Sequence, residues 1–339
     1  MAVYEKGVRS ASGRLKPDEF FASLRVAIIP FPALGDLTIY LRLAWSFHHA
    51  GAQVTFCSSV LLSAKDYFPW LTVIPDGESA LGEVASDYDL VIACFEKCYR
   101  MDAWRAEYGE LPNTAFVTAK KIARESGLDG RDVLVRGRQF PSASRAFCLD
   151  SKSGQTMVDW VDSYAKTVFH LDAGPKGQML SHEVQASQGD LVLIFPTTPQ
   201  AKKNYWLGGF RLLAATLRKR GWRVEFICMP SEHDDLAVRL PGFLVHSFPD
   251  IRRLMEYVTG AATVISNDSG GGHLASMMGI PTFTITRRRK QFVWRPGFNK
   301  DNTVLYPLMR FKWLRKHYVW RPFVPIWRIA SQLGSRSQV

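Results

Sequence analysis

Two spacings of apolar residues alternate along this chain. Short aliphatic runs such as residues 25–29 predict buried strands, and each is followed by a turn and by apolar residues that recur every three or four positions. After the first run, a turn that ends in Gly35-Asp36 leads into a helical stretch in which Ile39 and Leu43 share one face. Strands that alternate with helices predict a parallel sheet covered on both faces, so the fold class is α/β.

The first half repeats this pattern and then loses it. Between residues 95 and 150 the pattern weakens, although Phe116, Ala119 and Ala123 at helical spacing predict a helix that ends at Gly127. A polar stretch with Gly and Pro at residues 172–189 is interpreted as the linker to the second half. The further strands predicted before it are residues 53–57, 71–74 and 89–94.

The second half starts the same pattern again. A loop at residues 196–206 separates its first strand from a helix that ends at Gly221, and a strand at residues 262–266 comes near its end. Open parallel sheets bind ligands at the carboxyl ends of their strands, so the turns after these strands are expected to face a cleft between the halves. The remaining predicted elements are strands at residues 191–195 and 223–228 and helices around residues 210–217 and 249–258.

Four segments follow from this division. Residues 1–24 are an N-terminal extension, and residues 25–175 and 176–310 are two α/β domains of similar build. Residues 311–339 form a basic and aromatic segment with a last short helix, and we expect this segment to pack back on the N-terminal domain.

The stretch at residues 264–281 carries the clearest signal for a ligand. Its apolar strand ends in Asn267-Asp268-Ser269, three glycines follow, and a short apolar helix then stops at Gly279. Consecutive glycines allow close approach of a ligand to the backbone, and the free amides of a helix N-terminus form an anion site. The alternative is a flexible turn with Asp268 or Ser269 as an ordinary helix cap.

Charge and cysteine content narrow the class of protein. A formal net charge of +12, from 43 Lys and Arg against 31 Asp and Glu, favours phosphorylated substrates, an anionic membrane surface or nucleic acid as partners. Five scattered cysteines without a CxxC pair indicate reduced thiols, with neither a disulfide framework nor a metal site. The charged N-terminus does not resemble a signal peptide, and no apolar run is long enough to span a bilayer, so a cytoplasmic protein is expected.

Basic and aromatic residues are interleaved at residues 310–321. This composition suits a lipid headgroup interface and would also suit nucleic acid. A segment that packs its aromatic residues on the protein is the third interpretation.

Three motifs together resemble glycosyltransferase family nine, the bacterial heptosyltransferases. They are Asn267-Asp-Ser-Gly-Gly-Gly-His-Leu-Ala275 with Gly279-Ile-Pro281, the turn Leu34-Gly35-Asp36, and Thr197-Thr198 followed by Lys203. The resemblance covers about residues 25–335. It implies the GT-B fold, in which two Rossmann-like domains face a central cleft, with residues 25–175 as the acceptor-binding domain and residues 176–310 as the nucleotide-sugar-binding domain. It also implies inverting, metal-independent transfer of heptose from ADP-heptose to a hydroxyl of the lipopolysaccharide core.

The resemblance assigns Asp36 as the general base that takes the proton of the attacking hydroxyl. Asp36 as a plain cap of the first helix is the alternative. For the donor diphosphate, Lys203 supplies the point charge, with Lys202 as its competitor. Glu232 is the candidate to accept hydrogen bonds from the hydroxyls of the donor ribose, and Asp234 is nearly as good a candidate for this role. The other candidate donor-binding residues are Thr197, Thr198, Asp268, Ser269, Gly270, Gly271, Gly272 and His273.

The chain departs from the family pattern on the acceptor side. Pro30 stands where a basic residue is usual, Arg42 lies near an expected proline, and Thr286-Arg-Arg-Arg-Lys290 replaces a common loop. Arg42, Arg287, Arg288 and Lys290 are therefore candidate contacts to an acceptor or a phosphate.

The sequence thus predicts a glycosyltransferase that acts on an anionic glycolipid or lipopolysaccharide core at the inner face of the inner membrane. It needs no cofactor beyond the nucleotide-sugar co-substrate, and nucleic acid is not its expected partner. Two alternatives remain open, a nucleotide-sugar epimerase of the same architecture and a non-catalytic protein that binds anions or nucleic acid.

Overall fold

The computed structural model describes residues 19–77, 80–100, 104–119, 121–181, 189–288, 291–313 and 317–335. Two parallel six-stranded sheets dominate it, one in each half of the chain. The predicted α/β class with two similar halves is confirmed.

The first sheet has the strand order β3-β2-β1-β4-β5-β8, and all its pairings are parallel. Its strands are β1 (Arg25–Ile29), β2 (Gln53–Cys57), β3 (Thr72–Ile74), β4 (Leu90–Cys94), β5 (Thr114–Thr118) and β8 (Arg145–Ala146), and a separate hairpin joins β6 (Val133–Val135) to β7 (Arg138–Phe140). The helices of this half are α1 (Glu19–Ala22), α2 (Leu34–His49), α3 (Ser59–Leu62), α4 (Leu81–Asp87), α5 (Phe95–Arg100) and α6 (Met157–Phe169).

The second sheet repeats the arrangement with the order β11-β10-β9-β12-β13-β14, again all parallel. Its strands are β9 (Leu191–Phe195), β10 (Arg223–Cys228), β11 (Leu244–Ser247), β12 (Thr263–Asn267), β13 (Thr282–Ile285) and β14 (Asn302–Leu305), and β15 (Phe311–Trp313) pairs antiparallel with β16 (His317–Val319). The helices are α7 (Leu207–Arg218), α8 (His233–Arg239), α9 (Ile251–Val258), α10 (Gly270–Met277) and α11 (Trp327–Leu333).

The helix predicted around Phe116 is wrong. Residues 114–118 are the strand β5, which lies between β4 and β8, and every one of them is buried. A strand covered on both faces has no alternating polar positions, so its apolar residues can mimic a helical spacing. Gly127 does end a turn, with a φ of 68°, but the turn is a short 3-10 helix at Arg124–Ser126.

The start of the predicted linker packs on the first half. The Trp70 indole donates a hydrogen bond of 2.7 Å to the carbonyl of the buried Met179, and the Ser181 amide donates one of 2.9 Å to Tyr67. The end of the predicted linker, residues 182–188, lies outside the described residues.

The C-terminal segment packs on the second half, in contrast to the expectation that it returns to the N-terminal domain. Trp320, Val324 and Ile329 are buried in the same cluster as the α7 residues Phe210 and Leu213. These apolar positions around Pro322 and Pro325 close the second core. Within the described residues, no helix is long and apolar enough to cross a membrane.

Candidate active site

The two halves meet where the N-termini of α2 and α10 touch. A Cβ atom at Gly270 would lie 2.8 Å from Leu34 Cβ and 3.0 Å from the Gly35 nitrogen, and one at Gly35 would lie 3.4 Å from the His273 ring. At residue 270, a side chain larger than hydrogen would push the two helix ends apart. The contact therefore requires glycine, and it brings the turn after β1 and the turn after β12 to one place.

The next two glycines also serve packing. A Cβ atom at Gly271 would lie 2.5 Å from the Phe195 ring, and one at Gly272 would lie 2.4 Å from Ser266 Oγ. The glycines therefore seat α10 on the ends of β9 and β12, in addition to freeing its first amides. The flexible-turn alternative does not hold, because residues 270–272 form the first turn of the helix.

Asn267, at the end of β12, holds the loop that follows β9. Its carboxamide is fully buried, accepts a hydrogen bond of 2.8 Å from the Tyr205 amide and donates one of 2.6 Å to the Pro196 carbonyl. Arg321, in the C-terminal segment, donates hydrogen bonds to the carbonyl oxygens of Asn204 at 2.7 Å and Ala201 at 3.2 Å. The loop with the candidate residues Thr197 to Lys203 is thus fixed from both sides.

Lys203 faces the site. Its ammonium group lies 3.3 Å from a carboxylate oxygen of Asp268, whose side chain is 7% exposed. Lys202 is exposed. The geometry therefore favours Lys203 over Lys202 as the cation at the turn after β12.

Glu232 is hydrogen-bonded to the loop that follows β9. The Thr197 hydroxyl donates a hydrogen bond of 2.8 Å to Glu232, which accepts another of 3.1 Å from the Met229 amide. Asp234 is fully exposed and is bonded to His233, so the geometry favours Glu232. The Thr198 hydroxyl is hydrogen-bonded to Asn204 and Gln200 within its own loop, so it stabilises the loop conformation.

Two buried polar atoms at the N-terminus of α10 lack a hydrogen-bond partner among the described residues. They are the Ser269 hydroxyl and the Nδ1 atom of His273. Ser269 is the N-cap residue of α10, but its side chain makes no capping bond. Buried polar atoms without partners are costly, so these two indicate a place where a polar ligand binds.

His273 is held neutral by its surroundings. Burial lowers the pKa of its ring, and nearby Lys203 lowers it further, while Asp268 and a hydrogen bond with the Trp294 backbone act in the opposite direction. A neutral imidazole beside a helix N-terminus can donate or accept a hydrogen bond without adding charge.

Asp36 is the third residue of α2, and the N-cap is Ala33. The interpretation of Asp36 as the helix cap is therefore wrong, because Asp36 lies inside the first turn. The side chain is half-buried. The preceding residue Gly35 lies against Gly270 and the His273 ring, so Asp36 stands on the first half near the N-terminus of α10.

A second carboxylate, which sequence reasoning missed, lies near Asp36. Glu96 accepts hydrogen bonds from the Thr118 hydroxyl and, at 3.5 Å, from the Cys94 thiol. Burial first, then the Cys94 thiol, and after these the charges of Asp36 and Glu96 raise the pKa of the Tyr40 hydroxyl, so both carboxylates lie within electrostatic range of that hydroxyl. The signal that could have found Glu96 is its position two residues after the strand that ends at Cys94.

Arg42 does not reach the site. It is 1% exposed, forms two hydrogen bonds to Asp162 at 2.7 and 3.3 Å and donates a third of 2.8 Å to the Gly174 carbonyl. These contacts contradict its prediction as an acceptor contact. Arg42 instead ties α2 to α6 and to the chain that follows α6.

The basic run after β13 is only partly described. Arg287 is half-buried and Arg288 is exposed, with its guanidinium 5.9 Å from the centre of the Phe292 ring. The candidate Lys290 lies outside the described residues. Among the residues that are described, no group of three or more His, Cys, Asp or Glu side chains could hold a metal ion.

Comparison with known proteins gives one family. Residues 153–316 match the model described as glycosyltransferase family 9 (heptosyltransferase). No curated protein matches the sequence significantly.

Solved structures resemble the chain over most of its length. Escherichia coli heptosyltransferase WaaC with ADP is 17% identical, with 83% of this chain and 92% of that chain covered at a TM-score of 0.56. Escherichia coli ADP-heptose lipopolysaccharide heptosyltransferase II is 14% identical, with 91% of this chain and 97% of that chain covered at a TM-score of 0.62. The family 9 glycosyl transferase from Veillonella parvula is 15% identical, with 86% of this chain and 87% of that chain covered at a TM-score of 0.62. At these identities the likeness shows the fold, which is GT-B.

Proposed function

We propose that this chain, a member of glycosyltransferase family 9 through its residues 153–316, moves a sugar from a nucleotide-linked donor to a hydroxyl of an anionic glycolipid core. One observation supports this most. The N-termini of α2 and α10 touch, so a candidate base on one half stands beside a candidate anion site on the other.

The proposed donor site uses the second half. The Lys203 ammonium and the first amides of α10 offer positive charge to a diphosphate, and the Ser269 hydroxyl and His273 Nδ1 offer the hydrogen-bonding atoms that still lack partners. Glu232, oriented by Thr197, would accept bonds from ribose hydroxyls. ADP-heptose is the donor to test first, because WaaC has been solved with ADP and with ADP-2-deoxy-2-fluoro heptose.

The proposed reaction is a single displacement at the anomeric carbon of the donor sugar. Asp36 takes the proton from the acceptor hydroxyl while the oxygen of that hydroxyl forms a bond to the anomeric carbon. The bond from that carbon to the diphosphate oxygen breaks, and the nucleoside diphosphate leaves with the electron pair. Attack from the face opposite the leaving group inverts the anomeric centre. Lys203 and the helix amides would balance the charge on the leaving group, so transfer should persist in the presence of a chelator.

The acceptor side is proposed to hold the substrate through carboxylates. Glu96 is oriented by Thr118 and Cys94 and can accept a hydrogen bond from an acceptor hydroxyl next to the one that attacks. We place the enzyme at the cytoplasmic face of the inner membrane, where a lipid-linked core would be presented.

Donor binding is the direct test. ADP-heptose should raise the thermal unfolding midpoint of the protein, because a ligand that binds the folded state stabilises it by mass action. Transfer to deacylated lipopolysaccharide core should release ADP together with a heptosylated product. No shift with ADP-, UDP-, GDP- or TDP-sugars would refute the proposal, and conversion of the donor without any acceptor would indicate an epimerase instead.

A further inference from the structure

Four large apolar side chains are exposed within one short segment after β14. They are Tyr306, Leu308, Met309 and Phe311, with exposed fractions of 38%, 56%, 62% and 43%. Arg310, between them, is exposed as well. Single exposed apolar residues are ordinary, but a cluster of this kind marks an interaction surface. We call the surface of residues 306–311 the 306–311 patch.

The patch is held in place by the second half. The Leu308 amide donates a hydrogen bond of 3.0 Å to the Phe323 carbonyl, and the rings of Phe311 and Phe323 lie 5.9 Å apart. Arg310 donates a hydrogen bond of 3.3 Å to the Arg287 carbonyl, which joins the patch to the basic run after β13. The apolar side chains are therefore presented by a backbone with defined contacts.

The sequence around the patch is rich in positive charge. From Thr286 to Arg321 the sequence has eleven Lys and Arg and a single acidic residue, Asp301. Some of these cations have structural tasks, such as Arg321 on the loop before α7, but Arg288 and Arg310 are exposed. A surface with apolar side chains and cations together matches the boundary between the acyl chains and the anionic headgroups of a bilayer.

The patch lies at the edge of the sheet that also carries the candidate donor site. It follows the carboxyl end of β14, the basic run follows β13, and Asp268 follows β12, and these three strands are neighbours and parallel. Two strand spacings correspond to about 10 Å. A bilayer that contacts the patch would therefore lie beside the cleft.

We propose that the 306–311 patch is the surface on which the enzyme docks to an anionic lipid bilayer. Leu308, Met309 and Phe311 enter the headgroup boundary, and Arg310 and Arg288 contact lipid phosphates. Nucleic acid fits less well, since aliphatic side chains such as Leu308 and Met309 give neither stacking nor charge. The link to a lipid-carried acceptor rests on the proposed function, whereas the binding itself does not.

Vesicle binding tests this surface. The full chain is sedimented with vesicles of phosphatidylethanolamine with or without phosphatidylglycerol, and Leu308→Ser combined with Met309→Ser is compared with the unaltered protein. The double variant should bind phosphatidylglycerol vesicles on the order of tenfold more weakly, because two apolar side chains no longer enter the boundary. The matched control is Val238→Ser with Leu244→Ser, at positions 81% and 61% exposed on the same half.

Several outcomes would overturn the proposal. These are equal binding by the patch variant and the unaltered protein, an equal loss in the control, no preference for phosphatidylglycerol, or loss of folding by the patch variant in thermal unfolding. Binding of an oligonucleotide that depends on Leu308 and Met309 would assign the patch to nucleic acid. Failure of the proposed function has a different signature, since the chain would then bind vesicles through the patch but neither bind nor transfer from any nucleotide sugar.

Discussion

The Lys203 ammonium lies 3.3 Å from an Asp268 carboxylate oxygen, and these two side chains are only 26% and 7% exposed. The pair joins the loop after β9 to the turn after β12, so the cation is held in place before a donor arrives. Asp268 itself would repel a diphosphate, and its proposed tasks are to hold Lys203 and to accept bonds from donor sugar hydroxyls.

Replacing Lys203 tests the proposed charge on the leaving group. Lys203→Ala should lower kcat about 100-fold, because a fixed positive charge that stabilises the departing diphosphate is lost. The control is Lys202→Ala, which removes the neighbouring exposed lysine. If both variants lose activity equally, or if Lys202→Ala loses more, the assignment of Lys203 is wrong. Steady-state rates of ADP release measure the effect.

Asp36→Asn separates binding from chemistry. The amide has almost the same shape as the carboxylate but cannot take a proton, so transfer should fall by about 100-fold or more. Calorimetry should show unchanged affinity for ADP-heptose, because the donor contacts lie on the other half. A variant that transfers at the normal rate would mean that Asp36 is not the base.

The sequence was sufficient to predict that the turn after β1 and the turn after β12 face each other. Asp36, the Thr197 loop and Asp268 each follow a strand of a parallel sheet, and parallel strands bring their following turns to one edge. The glycines were expected to admit a ligand, whereas the structure shows them pressed against Gly35, Phe195 and Ser266. That packing depends on residues far away along the chain.

Other parts of the site could not be predicted because they arise from contacts between distant segments. Asn267 reaches the Tyr205 amide and the Pro196 carbonyl, and Arg321 reaches the Asn204 carbonyl. Arg42 is buried against Asp162, which lies 120 positions further along the chain. In each case a polar residue could be recognised in the sequence, but its partner could not.

Gly270→Ala should disturb the junction of the halves. The new methyl group would lie 2.8 Å from Leu34 Cβ and 3.0 Å from the Gly35 nitrogen, so α2 or α10 must shift. We expect a loss of about 1–3 kcal/mol in the free energy of unfolding, together with reduced transfer. Gly82→Ala in α4 is the control, since its nearest neighbour would be a Tyr108 ring atom at 3.9 Å. Urea unfolding of both variants measures the difference, and equal stabilities would contradict the close contact.

His273 should make stability depend on pH. Burial lowers the pKa of the folded ring below its ordinary value of 6.5. As the pH falls below that value, the unfolded chain takes up a proton that the folded chain does not, and the folded state loses stability until the pH reaches the folded pKa. This contribution is at most about 1.4 kcal/mol for each pH unit.

The comparison variant for this effect is His273→Asn. Urea unfolding at about pH 7.5 and about pH 5.5, on either side of the ordinary value, should show a smaller loss of stability for the variant than for the unaltered protein. The difference between the two proteins isolates His273 from the carboxylates. Equal losses would mean that the ring is not held neutral.

Glu96→Gln tests the second carboxylate. A hydrogen bond from an acceptor hydroxyl to a charged group is worth more than one to a neutral amide, so kcat/KM for the acceptor should fall about tenfold. The loss should appear mainly in KM for deacylated core, with donor affinity unchanged. The control Glu107→Gln removes a carboxylate that is 70% exposed in the same half. A change in donor affinity, or no change in acceptor KM, would contradict the assignment.

The glycine contact between α2 and α10 has a consequence for how such an enzyme can change its substrate. The spacing between the proposed base and the proposed donor site is set by main-chain atoms and by hydrogen atoms at Gly35 and Gly270. The Glu96 side chain, proposed to contact the acceptor, does not take part in that spacing. Substrate preference could therefore be redesigned through such side chains while the alignment of the reacting groups is inherited unchanged from the backbone.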